Sequence, residues 1–113
     1  MEFWHNPRCT KSREALALLR GHGVEPQIRE YLKTPPSVEE LKAVAEKLRL
    51  ASPRDMMRTK EAAYKDAGLK DVDDADALYA AMAEEPKLIE RPILINGPRA
   101  ALGRPTEAIL NAV

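Results

Sequence analysis

The one cysteine in the chain, Cys9, stands in the run His5-Asn6-Pro7-Arg8-Cys9-Thr10-Lys11-Ser12-Arg13, where a short apolar start gives way to a helical pattern. A thiol at a helix N-terminus lies among unpaired backbone N–H groups at the positive end of the helix dipole. Both favour the thiolate, which is the nucleophilic form. A free cysteine titrates at about 8.5, and such surroundings lower that value. Most lone cysteines are small buried hydrophobes, but Pro7, Arg8, Thr10 and Lys11 are poor company for apolar burial. The chemistry to expect is attack by sulfur.

Other residues could serve that sulfur. His5 precedes Cys9 by four residues, and a nearby imidazolium would favour thiolate. The bland alternative is a hydrogen-bonded histidine at a strand end. Three arginines sit beside structural punctuation: Arg58 at the end of a short helix, Arg91 before Pro92 and Arg104 before Pro105. Guanidinium groups hold tetrahedral oxyanions through a planar fork of donors and stay charged at any working pH. Ser12 occupies the place of the second thiol in a Cys-x-x-Cys motif. The chain therefore has no resolving thiol, and any redox cycle needs an external one. A Cys-x5-Arg anion loop also fails, because Arg13 comes too early and Arg20 too late. Cys9, His5 and His22 lack zinc-site spacing and a fourth ligand, so no metal is expected.

The length of 113 residues fits a single domain, 1–113. Hydrophobic residues reach 44% while aromatics are only 4%, so the core must come from Leu, Ile, Val, Ala and Met. Lys plus Arg equals Asp plus Glu at 18 each, which argues against a general nucleic-acid binder. No apolar run approaches membrane-spanning length, and polar residues follow Met1 too soon for a signal peptide. The reducing cytoplasm is the expected address, with the chain a monomer.

The elements that must position Cys9 are legible in outline. Phe3 and Trp4 end a short strand, and a helix starts near Cys9 or Thr10, carrying Ala15, Leu18 and Leu19 on one face and stopping at Gly21-His22-Gly23. Gln27 to Leu32 reads as a strand, which completes a parallel βαβ unit. Thr34-Pro35-Pro36 breaks it, and Ser37 with Glu40 forms a capping box for a helix ending near Leu50. Further helices are expected after Ser52-Pro53, from Glu61 to Gly68 and from Asp73 to Glu85. Ile93-Leu94-Ile95 and Ala100 to Leu102 read as a hairpin around Asn96-Gly97. Pro105 suits the first position of a last helix that buries Ala108, Ile109 and Val113. The fold class is α/β: βαβ, then an inserted helical subdomain at about 37–86, then ββα. That order resembles a thioredoxin-like mixed sheet, in which a cis proline at the Pro92 position packs against the reactive thiol.

The motifs His5-to-Arg13, Tyr31-Leu32-Lys33-Thr34-Pro35-Pro36, Glu90-Arg91-Pro92-Ile93 and Leu102-Gly103-Arg104-Pro105 occur in order over nearly the whole chain. Together they resemble the arsenate reductase family of the glutaredoxin-linked type. The resemblance implies that Cys9 is the nucleophile and that His5 helps lower its pKa. It implies that Arg58, Arg91 and Arg104, with Ser12, hold the oxyanion, and that Pro92 shapes the site. It also implies arsenate or a similar oxyanion as substrate, no bound cofactor, glutathione as co-substrate and glutaredoxin as partner. Two alternatives stand beside it: a general glutathione-dependent thiol reductase, and a redox regulator that binds RNA polymerase. Regulators of that kind usually carry Cys-x-x-Cys, which Ser12 removes.

Overall fold

The structure, a computed structural model, describes residues Met1 to Val113. The chain divides into two compact units, Met1–Thr34 with Arg91–Val113, and Pro35–Glu90.

The first unit is built on a four-stranded sheet in the order β2-β1-β3-β4. Its strands are β1 (Glu2–Trp4), β2 (Gln27–Arg29), β3 (Ile93–Asn96) and β4 (Arg99–Leu102). β1 pairs parallel with β2 and antiparallel with β3, and β3 pairs antiparallel with β4. This is a mixed sheet of thioredoxin-like type. Phe3, Leu94 and Ala101 align across three strands on one face. That face packs with Ala15, Leu16 and Leu19 of helix α1 (Thr10–Gly21) and with Ile109 and Ala112 of the closing 3-10 helix Thr106–Ala112. Full burial of side chains such as Phe3 and Leu94 contributes about 1.5–3 kcal/mol each, so this layer anchors both the start of α1 and the start of β3.

The second unit holds helices α2 (Val38–Lys47), α3 (Ala62–Asp66) and α4 (Ala75–Glu84), with short 3-10 turns at Pro53–Met56, Leu69–Asp71 and Pro86–Leu88. Ser37 and Glu40 close the expected capping box on α2. Leu41, Val44, Met56, Leu78, Met82, Leu88 and Ile89 are buried. The half-buried Arg54 guanidinium ties the loops together by donating to the Tyr64 hydroxyl and to the carbonyls of Leu69 and Val72.

Three expectations about elements need correction. β2 ends at Arg29 rather than Leu32; Tyr31 turns inward and is buried, while Ile28 is exposed. β2 lies at the sheet edge, so only β1 holds it, and the chain leaves the ladder early to bury a ring. The last helix is a 3-10 helix, and Pro105 is its N-cap, not its first residue. Val113 is exposed, and Ala112 takes the buried place, because a three-residue period puts Ile109 and Ala112 on one face. The hairpin loop is Gly97-Pro98, as Asn96 still pairs with Arg99. Gly97 takes φ +57 there, a value glycine adopts without steric cost.

Candidate functional site

β1 ends at Trp4, and the His5 N–H donates to the Arg29 carbonyl at 2.9 Å, so the strand pairing carries the chain one residue further. Asn6 then folds the turn. Its carbonyl accepts the Cys9 N–H at 3.0 Å, its Oδ1 accepts the Arg8 N–H at 3.1 Å, and its own N–H donates to Ser12 Oγ at 3.0 Å. Asparagine side chains close such turns by imitating a backbone carbonyl two residues away. The result is Cys9 in extended conformation at the N-cap of α1, with no side-chain capping hydrogen bond.

The first amides of α1 are therefore left for the sulfur. Partial burial pushes the Cys9 thiol up. The Ser12 N–H, the Arg91 guanidinium and the Lys11 N–H push it down and outweigh burial, so the thiol sits below its ordinary value. The sulfur is neither sealed away nor fully open. A partly exposed thiolate held by two amides and a guanidinium is a nucleophile.

His5 acts differently from the expected imidazolium. Its ring is buried, and burial lowers its pKa; Arg20 and Arg13 lower it further, against Glu30, which raises it. The neutral imidazole is thus the favoured form. Nδ1 lies 2.7 Å from Ser12 Oγ. His5 reaches the thiol's surroundings through Ser12, not as a neighbouring cation. Ser12 is fully buried and bonded to both His5 and the Asn6 N–H, so its hydroxyl belongs to the frame under the sulfur.

The strand β3 begins beside this frame. The Arg91–Pro92 peptide bond is cis. The Pro92 carbonyl accepts the Gly103 N–H at 2.9 Å, and Arg104 Nε donates to the Arg91 carbonyl at 3.1 Å. Gly103 is required by this approach: a Cβ there would lie 2.7 Å from Pro92 Cγ and 3.1 Å from Cδ. Arg104 and Lys11 line one groove with Glu14, Leu18 and Glu107. The structure thus gathers Cys9, His5, Ser12, Arg91, Pro92 and Arg104 into one connected set. Arg58 belongs to the Pro35–Glu90 unit, where its N–H bonds the Leu88 carbonyl and its Nη1 pairs with Glu61 Oε2 at 3.0 Å. No group of three His, Cys, Asp or Glu side chains comes together as metal ligands.

Sequence reasoning gave Asn6 no role and weighed Arg13 only against a Cys-x5-Arg loop. Asn-Pro before a helix start is a turn signal, so the role of Asn6 was available. The Arg13 contacts depend on how the turn folds back and had no local signature.

A nucleophilic thiol at the first helix of a mixed, thioredoxin-like sheet, beside an arginine and a proline at the start of β3, defines a thiol-chemistry protein of that fold. The ArsC family model matches residues 4–112. An arsenate reductase of Neisseria meningitidis serogroup A is 49% identical over 110 residues, covering 96% of this chain and 94% of that protein. An uncharacterized Escherichia coli protein, YfgD, is 44% identical over 114 residues, covering 100% and 96%. The solved arsenate reductase from Vibrio cholerae superposes with a TM-score of 0.96 at 52% identity, covering 100% of this chain and 98% of that one. The chain belongs to the ArsC family.

These findings overturn the expected glutaredoxin-linked subtype, with glutathione as co-substrate and glutaredoxin as partner. The family match and the relatives' names support arsenate reductase without that coupling. Cys9 is the only cysteine, so the chain holds no relay of thiols for such a pathway. The alternative of a glutathione-dependent thiol reductase falls with it.

Proposed function

We propose that this protein reduces arsenate to arsenite with Cys9 as nucleophile. The observation that carries this is the Arg91 guanidinium beside the Cys9 sulfur at the N-terminus of α1. An arginine there does two things at once: it favours the thiolate and offsets the negative charge that would keep a thiolate and an oxyanion apart. The family membership and the names of the relatives support arsenate as that oxyanion.

In the first step a sulfur–arsenic bond forms, one arsenic–oxygen bond breaks, and the oxygen leaves as water after taking up protons. Two electrons must then reach arsenic. One cysteine cannot close an internal disulfide, so two external thiol groups supply them, end as a disulfide, and leave arsenite and free Cys9. Arg91 and Arg104 hold the oxyanion. Lys11 and Ser12 contribute the backbone N–H groups that favour the sulfur anion. His5 and the Ser12 hydroxyl keep the turn in shape, and Pro92 shapes the wall. Arg58 rests on its sequence match alone, since Glu61 engages its charge. No helix is long and apolar enough to cross a membrane, and a working thiol suits the reducing cytoplasm.

The test is arsenite formation from arsenate with dithiothreitol as the thiol donor, comparing wild type with Cys9→Ser. Arsenite at wild type well above the variant is expected; equal rates would sink the reductase reading.

A further inference from the structure

Arg13 lies on the second turn of α1, and its guanidinium reaches back over the helix start. Nη1 donates to the Pro7 carbonyl at 2.9 Å, and Nη2 donates to Thr10 Oγ1 at 3.3 Å. Its backbone N–H donates to the Cys9 carbonyl at 3.0 Å. One residue is thus bonded on both sides of the cysteine and to the cysteine itself. Arg20, about two turns further along the same face of α1, shows what an ordinary surface arginine does here: its fork closes on the Glu25 carboxylate. The Arg13 fork closes on oxygens of the turn.

We propose that Arg13 is a positioning residue: by bridging the Pro7 carbonyl and the Thr10 hydroxyl it fixes the turn that keeps the Lys11 and Ser12 amides aimed at the Cys9 sulfur. Pro7 has no N–H to tie its own peptide unit down, and Asn6 anchors the turn from its other end. Without the fork, the segment Pro7–Arg8 is held at Asn6 alone. The sulfur then samples positions where the amides no longer converge on it. A planar fork spanning two oxygens is a property of arginine that lysine lacks. This inference rests on the reading of Cys9 as the working nucleophile.

The test is the pH dependence of Cys9 alkylation by iodoacetamide, a readout that needs no arsenate. Arg13→Gln should move the midpoint upward by about half a unit, which is roughly threefold slower alkylation below the midpoint with rates converging at high pH. Thr10→Val, which removes one of the two side-chain bonds, should move it the same way by less. Arg13→Lys keeps the charge without the fork and should remain close to Arg13→Gln. An unchanged midpoint in Arg13→Gln overturns the proposal. Full recovery in Arg13→Lys also overturns it, because charge alone would then explain the shift. Failure of wild-type arsenite formation would instead strike the reductase reading while leaving these alkylation profiles to stand.

Discussion

Two helix N-termini in this chain are built on opposite plans. At α2, Ser37 Oγ accepts the Glu40 N–H at 3.1 Å and Glu40 returns a carboxylate oxygen to the Ser37 N–H at 3.0 Å. Acidic Glu39 and Glu40 sit in the first turn, where they complement the helix dipole. At α1 the N-cap is a cysteine that makes no side-chain cap bond, and the first turn holds no acid. One terminus satisfies its own amides for stability. The other leaves them, and the dipole, to the protein's own sulfur. The difference lies in two or three side chains and not in the backbone, which shows how cheaply a helix start is converted from a structural cap to a reactive one.

The largest expected effect comes from making α1 resemble α2. Cys9→Ser should abolish arsenite formation and, by supplying a true cap oxygen, raise stability in urea denaturation by about 0.5–2 kcal/mol. A loss of stability would break the comparison, since it would mean the sulfur already serves the Lys11 and Ser12 amides better than a cap hydroxyl does. Next, Gly103→Ala forces a methyl against Pro92 and should cost about 1–3 kcal/mol by overpacking. It should also raise the Cys9 alkylation midpoint as Arg91 moves with Pro92, whereas an unchanged midpoint would show that the wall yields elsewhere. Ser37→Ala should cost about 1 kcal/mol and leave Cys9 alkylation unchanged; any shift there would mean the two termini are not independent.

The smallest effect is the pH response. Cys9 has a folded pKa below its unfolded value of about 8.5. The unfolded chain therefore binds more protons in the window between the two values, and stability rises with pH there. The contribution is complete above the unfolded value and is lost as pH falls through the folded one. Relative to Cys9→Ser, wild-type melting temperature should thus climb as pH rises toward that upper limit. His5 is also depressed, from about 6.5, so it too removes stability as pH falls through its window. His5→Asn should flatten the acid limb measured by melting between neutral and mildly acidic pH. An acid limb identical to wild type would mean that His5 does not titrate on unfolding.

Much of the architecture was legible because its signals are local. The capping box at Ser37 and Glu40, the helix from Thr10 to Gly21 and the stop at Gly68 depend on residues within one turn of each other. The edges were less so: β2 lost Leu32 because an edge strand is held on one side only, and the last helix tightened to 3-10 geometry so that Ile109 and Ala112 could share the sheet face. Within the site, Cys9 and Arg91 stood out by type and position and Pro92 by resemblance to the fold, while the charge state of His5 was misjudged because it turns on burial.

By itself the sequence determined that one sulfur begins a helix, that no second thiol answers it, and that arginines stand before two prolines. Only the tertiary structure decided that Arg91 reaches that sulfur from the far end of the chain, that Ser12 is buried between His5 and Asn6, and that Arg58 is paired with Glu61. The reason is physical: capping and turn preferences act over a few residues, whereas burial and charge pairing depend on which distant segments the sheet and the core bring together.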